Sequence, residues 1–324
     1  MVFVVAGLMR VIFFGTPTFA ASILRALLEA GVQVVAVVTQ PPRPKGRSSA
    51  PQPTETALVA REFNLPLFEP PKASDPDFID ALRALQPDLL VVVAYGKILR
   101  PALLDLCPLG AINLHASLLP SYRGAAPMQR ALMAGERVTG VTIQYMAIEL
   151  DAGDVIAGES IPIPEEMRLE DLELALNDVG RHLLLKVLRQ IERGDAIRVA
   201  QNHQMATYAP KVEREECKIE WSRPADELHN LIRAVYPRPL AWCRIELRGR
   251  EVELKIRRSR PLMCKSGATG SILTYEGDRF EVACKKGALQ LLELQLEGKR
   301  AVTAAEWIRG YERDSIRFLT GLGD

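Results

Sequence analysis

Three short apolar runs punctuate the first half of the chain, Val11–Phe14, Val34–Val38 and Leu89–Val93, and Ala111–Leu114 is a further strand candidate. The three apolar runs offer no alternating polar face, so each must be buried on both sides. Stretches of helical period lie between them. Phe19, Ile23 and Leu27 line one face of a helix that stops at Gly31, with Thr16 as its N-cap and Pro17 at its first position. Residues 52–63 and 77–85 read as helices too. Apolar strands alternating with amphipathic helices predict a Rossmann-like α/β domain with a mostly parallel sheet covered on both faces. Val138–Tyr145 is a further β-rich segment. Leu169–Arg193 is a long amphipathic helix, with Leu172, Leu176, Val179, Leu183 and Val187 on one face and Gly194 closing it.

The texture changes after about residue 205. Leu240–Leu247, Val252–Ile256, Gly270–Thr274, Phe280–Ala283 and Leu289–Leu294 are short β-rich segments separated by glycine and charged turns. That pattern predicts a small, OB-like β-barrel. The expected division is an α/β catalytic domain over 1–206 and a barrel domain over 207–324. Residues 1–8 form an extension ahead of a structural start at Met9.

At 324 residues the chain can bury two cores. A formal net charge of +1 excludes a wholesale basic polymer-binder, although a local basic face can still form. Cys107, Cys217, Cys243, Cys264 and Cys284 show neither CxxC nor CxxH spacing, which argues against a disulfide framework or a zinc site and suits a reducing cytosol. The apolar start, Met1–Met9, lacks a basic flank and a cleavage signal. No later run approaches the roughly 18 apolar residues that span a bilayer, so no membrane association is expected.

Active residues of open α/β sheets gather beyond the carboxyl ends of the strands. Residues 111–124, Ala-Ile-Asn-Leu-His-Ala-Ser-Leu-Leu-Pro-Ser-Tyr-Arg-Gly, occupy that position, and Leu-Asp-Ala-Gly-Asp follows at 150–154. Asn113 and His115 share one side of a strand by its period of two. With Asp151 they form a set suited to acyl transfer. The amide donates to a developing oxyanion, the imidazole moves protons near neutral pH, and the carboxylate orients and charges the imidazole. His115 alone reads as a core histidine; its company makes it a catalytic candidate. His182, His203 and His229 lack such company. A metal site is disfavoured because only one histidine accompanies the carboxylates. A serine hydrolase is disfavoured because no G-x-S-x-G elbow exists, which leaves Ser117 as a loop residue that hydrogen-bonds a ligand. Gly15-Thr-Pro is neither G-x-G-x-x-G nor a P-loop.

Basic residues gather in two places. Arg43, Lys45 and Arg47 crowd a proline-rich loop after the second strand. The second domain carries Arg244, Arg248, Arg250, Lys255, Arg257, Arg258, Arg260, Lys285, Lys286, Lys299 and Arg300. Clusters of one sign in a near-neutral chain predict a phosphate-tracking face.

From Met9 onward the chain resembles the methionyl-tRNA formyltransferase family. The resemblance is carried by Phe-Phe-Gly-Thr-Pro (13–17), Thr-Gln-Pro-Pro-Arg-Pro-Lys-Gly-Arg (39–47), Val-Val-Val-Ala-Tyr-Gly (91–96), Asn-Leu-His-Ala-Ser-Leu-Leu-Pro (113–120), Tyr-Arg-Gly-Ala-Ala-Pro (122–127), Gly-Val-Thr-Ile (140–143) and Leu-Asp-Ala-Gly-Asp (150–154). Ile-Glu-Trp-Ser (219–222) and Ile-Arg-Ala-Val-Tyr-Pro (232–237) resemble the family's tRNA-binding domain. The resemblance implies formyl transfer from 10-formyltetrahydrofolate to the α-amine of methionyl initiator tRNA, by a metal-free, cytoplasmic, monomeric enzyme. It implies Asn113, His115 and Asp151 as catalytic residues. Ser117, Leu118, Leu119 and Pro120 would line the folate site, with a candidate cis Leu119–Pro120 bond, and Arg43, Lys45 and Arg47 would meet the tRNA. One departure is Ser48-Ser49-Ala50, where further lysines are expected; it weakens that loop's positive charge. The alternative acceptor is a nucleotide-sugar amine.

Overall fold

Val11 to Phe14 bury their side chains completely, which stabilises by about 1.5–3 kcal/mol for each large one. This run lies in the third strand of a seven-stranded sheet, with a parallel neighbour on each side. The structure is a computed structural model and describes residues 9–44 and 50–319. The expectations for residues 1–8, Lys45 and Arg47 lie outside the described residues. The chain divides into two compact units. One gathers the chain up to Pro127 with Val138–Pro162 and Glu173–Ala209; the other gathers Met128–Arg137, Ile163–Leu172 and the chain from Pro210 onward.

The first unit contains β1 (Val11–Gly15), β2 (Val34–Val38), β3 (Arg43–Pro44), β4 (Pro51–Gln52), β5 (Leu67–Phe68), β6 (Leu89–Val93), β7 (Ala111–His115), β8 (Val138–Tyr145) and β9 (Val155–Pro162). Its sheet runs β5-β2-β1-β6-β7-β8-β9, and β3 pairs with β4 apart from it. The pairs from β5 to β7 are parallel, whereas β7–β8 and β8–β9 are antiparallel. The sheet is therefore mostly, not wholly, parallel.

Helix Thr18–Glu29 buries Phe19, Ile23 and Leu27 as predicted, but its N-cap is Pro17. Thr16 does not cap it; its hydroxyl donates instead to the Tyr95 carbonyl across the strand ends, at 3.0 Å. The helix read over 52–63 is confined to Glu55–Glu62, because Thr54 Oγ1 accepts from Ala57 N and caps it there. The long helix Leu169–Arg193 forms as read. Gly180 of that helix lies against Leu114 and Val141, so β7 turns Leu114 towards the helix and Asn113 and His115 to the opposite face.

The second unit holds β10 (Ala241–Leu247), β11 (Arg250–Leu262), β12 (Ile272–Glu276), β13 (Arg279–Ala283), β14 (Ala288–Leu296), β15 (Val302–Thr303) and β16 (Ile316–Phe318). Its antiparallel sheet runs β12-β13-β14-β11-β10-β16. β13 and β16 are four strands apart, about 19 Å in a flat sheet. The Phe280 and Phe318 rings nevertheless lie 6.0 Å apart, and Phe318 meets Trp221 at 4.9 Å. The sheet curls on itself around these rings, as a small barrel does.

Candidate active site

Strand pairing places the first parts of the site. β7 and β8 align Asn113 opposite Gln144 and His115 opposite Thr142. A register shift between Ile143 and Gln144 follows on the β9 side. The chain then turns through residues 146–154 and brings back Asp151. Gly153 makes that return possible: a Cβ there would stand 1.8 Å from the Tyr145 carbonyl oxygen, so no side chain fits. Asp151 itself has φ of 48°, a left-handed conformation that aspartate tolerates better than most residues.

The Asp151 carboxylate is the meeting point. Oδ1 accepts from Gln144 Nε2 at 3.2 Å and lies 3.5 Å from Asn113 Nδ2. Oδ2 accepts from Gly124 N at 2.8 Å and lies 3.7 Å from His115 Nδ1. The amide, imidazole and carboxylate, 38 residues apart between Asn113 and Asp151, thus converge at one place. Their spacing differs from the expectation in one respect. Asp151 does not orient the ring through a hydrogen bond, since 3.7 Å is too long for one. Tyr122 takes that part: its carbonyl lies 2.9 Å from His115 Nε2. A carbonyl only accepts, so Nε2 carries a hydrogen, and in the neutral ring Nδ1 presents its lone pair beside the carboxylate.

The loop after β7 is tied internally. Ser117 is fully buried, and its Oγ donates to the Ser121 carbonyl at 2.6 Å. Its hydroxyl therefore shapes the loop rather than facing outward for a ligand. Thr142 Oγ1 donates to the Ser117 carbonyl at 2.7 Å and accepts from Leu119 N at 3.0 Å. Leu118, Leu119 and Pro120 stay partly exposed, and the Leu119–Pro120 bond is cis. Arg43 is exposed on β3.

Sequence reasoning missed Gln144, the Gly124 amide and the Tyr122 carbonyl. A glutamine inside the apolar run of β8 is a signal for the first; backbone groups leave none. Among the described residues, no group of three or more His, Cys, Asp or Glu could hold a metal ion. No described helix is long and apolar enough to cross a membrane.

The cations of the second unit are less free than their clustering suggests. Arg244 pairs with Glu251, Lys255 with Glu253, Arg257 with Glu293, Arg260 with Glu166 and Arg300 with Glu306. Arg248, Arg250 and Lys299 gather, with Arg244 and the carboxylates of Glu251, Glu253 and Glu297, along a groove of about 890 Å³. Tyr311 lies in that groove, with Arg248 and Lys299 at 5.5 and 6.0 Å from its ring.

Comparison with known proteins covers most of the chain. The formyl transferase family model matches residues 9–188, and the formyl transferase C-terminal domain model matches residues 211–312. Methionyl-tRNA formyltransferase of Protochlamydia amoebophila is 47% identical over 311 residues, covering 96% of this chain and 98% of that protein. The chain belongs to the methionyl-tRNA formyltransferase family. The enzymes of that name from Citrifermentans bemidjiense and Chlamydia pneumoniae are 41% and 39% identical, over 94% and 98% of this chain and 94% and 99% of theirs. Solved structures share the fold. HypX from Aquifex aeolicus, in complex with tetrahydrofolic acid, superposes with a TM-score of 0.64 at 19% identity, over 93% of this chain. The chain spans 47% of that protein's length. The sugar 3N-formyl transferase WlaRD also gives 0.64, at 16% identity, over 90% of this chain and 99% of its own.

Proposed function

We propose that the chain carries out the reaction for which its family is named, with Asn113, His115 and Asp151 at the reacting centre. The formyl group of 10-formyltetrahydrofolate passes to the α-amino group of methionyl initiator tRNA, giving N-formylmethionyl-tRNA and tetrahydrofolate. The observation that carries the residue assignment is the position of the Asp151 carboxylate, 3.5 Å from Asn113 Nδ2 and 3.7 Å from His115 Nδ1.

The neutral amine attacks the formyl carbon, a C–N bond forms, and the carbonyl oxygen becomes an oxyanion that Asn113 Nδ2 stabilises by donating to it. The amine proton moves to His115 Nδ1, the ring nitrogen that Tyr122 leaves free. The resulting imidazolium faces the Asp151 carboxylate, whose negative charge stabilises it. Collapse breaks the bond between the formyl carbon and folate N10, and the proton passes to N10. Holding both substrates in line supplies the orientation term.

Leu118, Leu119 and Pro120 offer backbone groups and apolar surface to the folate, with Ser117 holding the loop from inside. Arg43, Lys45 and Arg47 meet the tRNA acceptor end, and the groove of Arg248, Arg250 and Lys299 supplies further phosphate contacts. Residues 1–206 form the catalytic domain and 207–324 the tRNA-binding domain. The enzyme works as a monomer in the cytosol, a setting that its five unpaired cysteines suit. The likeness to sugar formyltransferases is one of fold alone and does not favour a nucleotide-sugar acceptor. The test is formylation by labelled 10-formyltetrahydrofolate of methionine charged on initiator and on elongator tRNA. Label is expected on initiator tRNA; no transfer to it overturns the reading.

A further inference from the structure

Behind Asp151 stands a row of buried polar side chains that the reaction itself does not use. Arg123, on the loop after β7, is only 3% exposed. Its Nε and Nη2 donate to Gln201 Oε1 at 3.2 and 2.6 Å, and Nη2 also donates to His203 Nδ1 at 3.3 Å. Gln201 Nε2 shares its two hydrogens among three acceptors, the Gly153 carbonyl at 2.7 Å, the Asp151 carbonyl at 2.9 Å and Gln144 Oε1 at 3.1 Å. Gln144, 1% exposed, donates from Nε2 to Asp151 Oδ1.

The direction of every link is forced. A guanidinium only donates, so the Gln201 atom facing it is the oxygen, and the amide nitrogen must face the three acceptors. Gln144 then receives a donor on its oxygen, which leaves its own amide nitrogen for the carboxylate. The chain of donors runs one way, from a buried positive charge to Asp151. Such chains polarise one another in a low-dielectric interior.

We propose that Arg123, Gln201 and Gln144 form a donor relay that positions Asp151, with Gln201 as its central positioning residue. Gln201 acts twice. Through Gln144 it aims the carboxylate. Through the carbonyls of Asp151 and Gly153 it braces the left-handed turn that returns Asp151 to the site. The relay holds the carboxylate at the distance where it faces His115 Nδ1 without capturing that nitrogen in a hydrogen bond.

The inference rests on Asp151 lying at the reacting centre, and the experiment separates the two claims. Formyl transfer from 10-formyltetrahydrofolate to methionyl initiator tRNA is measured for Gln201→Met, Gln144→Met, Asp151→Asn and the double variant Gln201→Met with Asp151→Asn. kcat, both KM values and melting temperatures are recorded. Gln201→Met is expected to lower kcat by about 10- to 100-fold, with both KM values within about threefold of wild type. The double variant is expected to be no more than about threefold slower than Asp151→Asn alone, because Gln201 acts through Asp151. A Gln201→Met kcat near wild type, or losses that multiply fully in the double variant, overturns the relay while leaving the site reading intact. Near-wild-type turnover in Asp151→Asn overturns both. Should Gln201→Met fail to fold, Gln144→Met keeps the backbone anchors of Gln201 and must show the same split between kcat and KM, or the relay is refuted.

Discussion

Asp151 accepts firmly from the Gly124 amide at 2.8 Å and from Gln144 at 3.2 Å, and only loosely meets Asn113 and His115. The two firm partners fix it, while the two loose ones remain free for the reaction. The Asn113 amide is free to turn one N–H towards an oxyanion, because a 3.5 Å contact is at the limit of a hydrogen bond. Replacing Asn113 with alanine removes that donor, and we expect kcat to fall by about 10²–10³. Steady-state formylation kinetics check this; a kcat within a few-fold of wild type would leave the oxyanion without Asn113. Asn113, His115 and Asp151 were legible as residue types before any geometry was known. The division of labour was not. That Tyr122 rather than Asp151 sets the imidazole tautomer follows from a backbone carbonyl, which every residue possesses and no sequence pattern reveals.

At the scale of the element, the turn between β8 and β9 carries the heaviest constraint. Gly153 passes so close to the Tyr145 carbonyl that alanine there must push the turn outward, and Asp151 moves with it. Gly153→Ala is expected to lower the melting temperature and to cost at least about tenfold in kcat, since small misplacements of a reacting group are expensive. Unchanged kinetics with unchanged melting would mean that the turn does not position the carboxylate. The strands that carry the site were readable because buried strands in an α/β sheet are continuous apolar runs. β6, β7 and β8 therefore lie close to where the pattern puts them. The antiparallel return into β9 was not readable, because Val155–Pro162 has a largely exposed edge and no apolar signature. The start of helix Thr18–Glu29 was misread for a different reason. Thr16 looks like a cap, but the Tyr95 carbonyl offers its hydroxyl a tertiary partner.

For the whole molecule, pH reports on a buried histidine that the reaction does not use. In the second unit His229 lies 3.1 Å from Ser259 Oγ and 3.3 Å from the Glu165 carbonyl. Burial holds its pKa below the ordinary imidazole value, against a partial opposing effect of the Glu165 hydrogen bond. The unfolded chain therefore takes up a proton near pH 6.5 that the folded chain refuses, so stability falls as pH drops through that value towards the lower folded pKa. Thermal melts between pH 7.5 and 5.5 should show wild type losing stability faster than His229→Gln, the two curves converging as pH falls. Parallel curves would place no titration at His229. The barrel itself was legible from short β segments, but its charge was not. The sequence shows where the arginines cluster, and only the folded side chains reveal that Arg244 and Arg257 are answered by Glu251 and Glu293.

The central claim is that Asn113 and His115 of β7 and the sequence-distant Asp151 act on one carbonyl carbon, and single-site variants read at saturating substrate test it most directly. His115→Ala and Asp151→Ala should each lower the turnover of formyl transfer to methionyl initiator tRNA by at least about a hundredfold. The affinity for that tRNA, measured separately by direct binding, should stay within about twofold of wild type. Turnover close to wild type in either variant, in folded protein, would contradict the account.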